Sequence, residues 1–223
     1  MTAKTQKNTI ILITVVACAF MLVVDAIIQP GYFIKSVIKI ALFLIFPFSF
    51  SIISKYSLKS LFIPDKKGFL TAILMGVGVY AVVLSAFLIF RNIFDFSALT
   101  TSLTSTTGVN ADNFIFVAIY ISFANSLLEE FFFRGFSFLT LKNLSSRRFA
   151  YVFSAAFFAI YHIAMMIGWF SLPVILLAMA GLFAGGLIFN FFNEKYNNIY
   201  LSWLIHMFAN FATNTIGFIL FNK

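Results

Sequence analysis

Cysteine occurs once, at Cys18, which excludes an intrachain disulfide and any cysteine-based metal cluster. Charge is scarce too: Asp, Glu, Lys and Arg make up 10% of the 223 residues and hydrophobic residues 62%. Soluble domains carry about a quarter charged residues, so water is not the main solvent of this chain. Acids number seven against fifteen Lys and Arg, for a net charge of +8. Those basic residues stand at the ends of apolar runs instead of on one solvated face, which argues against a nucleic-acid partner and makes them topology signals. Val16-Ala17-Cys18 faintly resembles a lipoprotein processing site, but the apolar run continues to Val24. Neither lipidation nor signal cleavage is therefore expected.

Long apolar runs are what the chain has in plenty. They extend over about Thr9–Ile28, Tyr32–Ile53, Phe69–Phe90, Asn113–Leu139, Phe149–Ile167, Ser171–Phe192 and Ile199–Phe221. Each has the roughly 20 residues that a membrane-crossing helix needs. The fold class is accordingly all-α, a polytopic bundle of about seven spans in contact with lipid. It is one integral membrane domain, with an N-terminal three-span region (1–112) and a core (113–221). The 33 phenylalanines are expected to be lipid-facing bulk. Between the runs lie Gln29-Pro30-Gly31, the basic Lys55–Gly68 loop, a Ser/Thr-rich stretch at Ala98–Thr107, Lys142–Arg148, the Gly168–Pro173 turn and Asn193–Asn198.

With the N-terminus in the cytoplasm, ten basic residues fall inside: Lys4, Lys7, Lys55, Lys59, Lys66, Lys67, Lys142, Arg147, Arg148 and Lys195. Four fall outside, Lys35, Lys39, Arg91 and Lys223. The positive-inside rule favours this orientation, in the cell membrane.

Arg134 belongs to neither set, because it lies within the fourth run, as do Glu129 and Glu130. Charge inside a bilayer is costly, so such residues face the protein interior and mark a site. Glu130 and Arg134 are four apart, on one helical face, and are expected to pair. Glu129, turned about 100° away on an α-helix, has no basic residue four positions off and is the carboxylate left for chemistry. The chain's two histidines, His162 on the fifth run and His206 on the seventh, also sit deep in apolar sequence. Asn210 follows His206 by four residues and shares its face. A lone intramembrane histidine is often only a hydrogen-bonding link between helices, and Gly181, Gly185 and Gly186 on the sixth run are expected to permit close packing. Asp25, near the end of the first run, is expected to reach the interface, and Phe158 to wall a pocket.

Taken in order, these residues resemble the CAAX protease and bacteriocin-processing family (CPBP, or Abi). Its pattern is Glu-Glu-x-x-x-Arg, then Phe-x-x-x-His, then His-x-x-x-Asn or a small residue. Here Glu129-Glu130 with Arg134, Phe158 with His162, and His206 with Asn210 supply it. The resemblance covers about Asn113–Phe221 and implies an intramembrane endopeptidase, like the type II CAAX prenyl endopeptidases, or a bacteriocin-processing or immunity protein. Some family members have eight spans where seven are counted here.

Peptide hydrolysis needs an activated water and a stabilised oxyanion. Glu129 with His162 is assigned to the water, His206 with Asn210 to the oxyanion, and Glu130 with Arg134 to orientation, as in the glutamate-dependent mechanism proposed for the family. That mechanism needs no cofactor. Glu129, His162 and His206 are also the ligand types of a catalytic zinc site, although no His-Glu-x-x-His is present. The substrate is expected to be a membrane-associated peptide or protein cut near its terminus. A non-catalytic immunity or scaffold protein and a proton-coupled transporter are the alternatives.

Overall fold

The computed structural model describes residues 1–64, 66–93, 96, 100–101, 103–167 and 170–222. Parts of the Ala98–Thr107 stretch and the Gly168–Pro173 turn, Asp65 in the basic loop, and Lys223 lie outside the described residues. Among those described, seven helices are long and apolar enough to cross a membrane. They are α1 (Ala3–Ile28), α2 (Tyr32–Ser54), α3 (Phe69–Phe90), α4 (Phe114–Thr140), α5 (Arg147–Met166), α6 (Leu172–Tyr196) and α7 (Tyr200–Phe221). Each matches one apolar run to within a few residues. A helix is the form such a run must take, because lipid offers no partner to a free backbone N–H or C=O. The protein is a multi-pass membrane protein.

Local chemistry sets the helix ends. The Thr2 side chain accepts from Thr5 N to cap α1, and Ser146 accepts from Phe149 N to cap α5. Residues with positive φ end three helices: Gln29 after α1, Lys55 after α2 and Asn197 after α6. Pro173 stands in the first turn of α6, where no backbone donor is lost.

In the packed bundle α3 runs along α7, α5 lies between α1 and α6, and the C-terminal half of α4 is enclosed by its neighbours. The phenylalanines divide between two surroundings. Phe33 and Phe116 are 80% and 71% exposed, as lipid-facing residues should be. Phe131, Phe132, Phe133, Phe136 and Phe138 on α4 are buried, which corrects the reading of phenylalanine as lipid-facing bulk. Phe43 of α2 stacks on Phe132 with ring centroids 4.1 Å apart, and Phe133 meets Phe158 edge-on. Of the three α6 glycines, Gly186 alone approaches another helix; a Cβ there would lie 3.0 Å from the backbone of Ala155 on α5.

Two further expectations are corrected. Asp25 does not reach the interface: its side chain is buried against Lys35 of α2 in an ion pair. Lys35 and Lys39 are not loop residues; both lie within α2, and Lys39 is 6% exposed.

Candidate active site

Regular α-helix does not persist through α4. Its backbone is α over Phe114–Tyr120, π over Ile121–Asn125, α over Ser126–Glu129 and π over Glu130–Thr140. A π turn spaces hydrogen bonds at five residues and frequently marks a functional site. It also displaces carbonyls from the α pattern, and in a membrane those need partners. Helix α7 supplies them. Asn210 Nδ2 donates to Ile121 O (3.1 Å) and Asn214 Nδ2 to Ala118 O (3.1 Å) and Ser122 Oγ (2.9 Å). Trp203 Nε1 donates to Phe123 O (3.1 Å) and Ser126 Oγ (3.0 Å). From α5, Ser154 Oγ donates to Phe133 O in the second π segment (2.8 Å).

That clamped helix presents Glu129 and Glu130 at an α-to-π junction, both within 2% of full burial. Each has its own cation and its own imidazole. Glu130 Oε2 is 3.4 Å from Arg134 Nε, the expected i,i+4 pair, and Glu130 Oε1 accepts from His206 Nδ1 at 2.9 Å. The Arg134 guanidinium is fully buried, with Cζ 3.8 Å from the centroid of the Phe158 ring and 4.9 Å from that of Phe189. Phe158 is thus more than a pocket wall: it carries a cation on its face.

Glu129 departs from expectation, because it is not without a basic partner. Lys39 Nζ of α2 lies 3.2 Å from its Oε1, which also accepts from Asn125 Nδ2 at 2.9 Å. Its other oxygen, Oε2, is 3.7 Å from His162 Nε2 and 3.9 Å from His206 Nε2. Three helices therefore bring together Glu129, His162 and His206.

Tautomers follow from the second nitrogen of each ring. His162 Nδ1 is 2.7 Å from the Phe158 carbonyl, which only accepts, so Nδ1 carries the proton. His206 Nδ1 faces a carboxylate oxygen and carries one too. In the neutral rings both Nε2 atoms are then lone-pair acceptors directed toward Glu129 Oε2. Three acceptors just beyond hydrogen-bond distance form a seat for a species with protons or positive charge to share; a water molecule suits it.

Asn210 makes no hydrogen bond to Glu129 or His206; its amide joins α7 to the first π turn instead. Among the described residues no three His, Cys, Asp or Glu side chains have the spacing of a metal site. Tetrahedral zinc with bonds of about 2.0–2.1 Å holds its ligand atoms about 3.3 Å apart, so the trio would have to contract by several tenths of an ångström.

Lys39, Asn125 and Tyr161, whose hydroxyl donates to Glu129 Oε1 at 3.5 Å, are participants that sequence reasoning missed. Asn125 carried a signal, since it precedes Glu129 by four, whereas Lys39 has its partner 90 residues away.

Residues 111–212 match the family model described as Type II CAAX prenyl endopeptidase Rce1-like. The matched segment ends two residues after Asn210 and so contains all three motifs. No curated protein and no solved structure matches the chain.

Proposed function

Because residues 111–212 match that family model, we propose that the chain is a member of the CAAX protease and bacteriocin-processing family and an intramembrane endopeptidase hydrolysing a membrane-associated peptide or protein near its terminus. The observation that carries this reading is the convergence of Glu129 Oε2 with His162 Nε2 and His206 Nε2. A water seated there donates one hydrogen to Glu129 and keeps a lone pair for the scissile carbonyl carbon. As the water oxygen attacks, its proton passes to Glu129 with His162 beside it. The resulting oxyanion needs a donor, and His206 supplies one through Nε2 when it enters the cycle as an imidazolium that has taken a proton from solvent and keeps it throughout. Glu130 at Nδ1 stabilises the charge that His206 then carries, as a carboxylate behind an imidazole does in hydrolytic triads. The proton held on Glu129 goes to the leaving amine as the C–N bond breaks. Glu130 and Arg134 orient these groups and touch no substrate. Asn210 contributes by fixing α4 at Ile121, a positioning part in place of direct oxyanion contact.

The N-terminus is assigned to the cytoplasm and the substrate approaches from that side, in keeping with the basic Lys55–Gly68 and Lys142–Arg148 segments. No step requires a metal.

The test is cleavage of membrane-associated peptides by the detergent-purified protein, followed by mass spectrometry. Wild type is compared with Glu129→Gln and His162→Ala, each with and without a chelator. Loss in both folded variants with no chelator effect is the expected result; a variant that cleaves like wild type removes that residue from the mechanism. Inhibition by chelator with recovery on zinc would replace the direct mechanism by a metal-dependent one.

A further inference from the structure

We infer that Lys39, with Asn125, is a positioning residue that fixes the reactive face of Glu129; the inference rests on the peptidase reading of that site. A carboxylate in a pocket can turn about its last bond, and only one orientation directs a bare oxygen at both imidazoles. Lys39 and Asn125 select it. Lys39 Nζ donates to Asn125 Oδ1 at 2.7 Å and lies 3.2 Å from Glu129 Oε1. Asn125 Nδ2 donates to the same Oε1 at 2.9 Å. The three side chains form a closed ring in which Oε1 is occupied and Oε2 is left to His162 and His206.

Placement on the helices makes this ring stiff. Asn125 and Glu129 are four residues apart on α4, at the end of its first π turn, while Lys39 comes from α2, which the Phe43–Phe132 stack joins to α4. Lys39 Nζ also lies 5.2 Å from the centroid of the Tyr161 ring, adjacent in sequence to His162. An ammonium is costly at this depth, yet Lys39 is 6% exposed and cannot snorkel to an interface. Its charge is matched by Glu129, as Arg134 is matched by Glu130. The anchors of Glu129 Oε1 are therefore shared between the N-terminal region, which supplies Lys39, and the core, which supplies Asn125, and α2 completes a site that the matched segment 111–212 does not contain by itself.

The experiment measures peptide cleavage and thermal unfolding on the same detergent-purified, full-length variants. Lys39→Met, which keeps length and removes charge, is expected to lower kcat about 10²-fold with KM changed less than about twofold, as a misplaced catalytic group does. Lys39→Arg keeps a cation and donors and is expected to recover kcat to within about tenfold of wild type. Asn125→Ala is expected to show the same kcat-selective loss, which serves if Lys39→Met folds poorly. Unfolding supplies a reading independent of activity: Lys39→Met leaves a buried carboxylate unpaired and lowers Tm, and adding Glu129→Gln raises Tm again. Wild-type kcat in Lys39→Met, or a Tm loss that Glu129→Gln merely deepens, overturns the inference. Normal cleavage by Glu129→Gln instead overturns the peptidase mechanism at Glu129, and the Tm cycle then still decides whether Lys39 and Glu129 are coupled.

Discussion

Phe158 shows how much one residue in this bundle does with its two halves. Its ring lies on the Arg134 guanidinium and its carbonyl accepts a hydrogen bond from His162 Nδ1. The ring is a side-chain property and the carbonyl is not, so substitution separates them. Phe158→Leu is expected to lower stability by about 1–3 kcal/mol through the lost cation–π contact and altered packing. It should leave detectable cleavage, because the backbone bond that sets the His162 tautomer survives. Denaturation in mixed micelles together with a peptide assay checks both parts. At this scale Glu129, Glu130, Arg134, His162 and His206 were legible in the sequence because each is an expensive group in an apolar run. Lys39 was not, since a lysine a few residues from the end of such a run looks the same in sequence whether it faces the interface or the interior. Only the partner, 90 residues away at Glu129, distinguishes the two.

Helix α4 depends on its neighbours more than its apolar sequence suggests. Its π segments could not be read from residue spacing, because apolar residues surround the whole circumference and erase the periodicity that would separate π from α. Their trace in the sequence is the set Trp203, Asn210 and Asn214 on α7, spaced along one helix and all donating to the first π turn or its flank. Asn214→Ala removes two of these bonds and is expected to cost about 1–2 kcal/mol, toward the upper end for polar contacts between membrane helices. Reversible unfolding in micelles measures it. Activity should fall along with it when temperature approaches the midpoint, since the junction bearing Glu129 and Glu130 follows that turn.

At the scale of the whole molecule, the seven spans were readable because length and apolarity are all that a crossing helix requires. How α2 and α5 approach α4 was not, since that depends on side-chain complementarity and not on composition. Orientation is open to a direct check that the chain's single, buried cysteine makes simple. In intact cells a membrane-impermeant thiol reagent is expected to label Asn110→Cys, and to reach Ser60→Cys only after lysis; the reverse pattern would invert the assigned topology.

The spans differ among themselves in a way that bears on how the protein is made. The helices that carry Glu129, Glu130, His162 and His206, namely α4, α5 and α7, are the three least apolar of the seven. The three spans that precede α4 include the two most apolar, α1 and α3. During synthesis the oily helices are therefore available first, and the charged α4 can partition against protein instead of bare lipid. Lys39 and the Phe43 ring would already be waiting in α2 as Glu129 leaves the ribosome. The order of the chain thus places its two oiliest spans ahead of the one that carries both site glutamates.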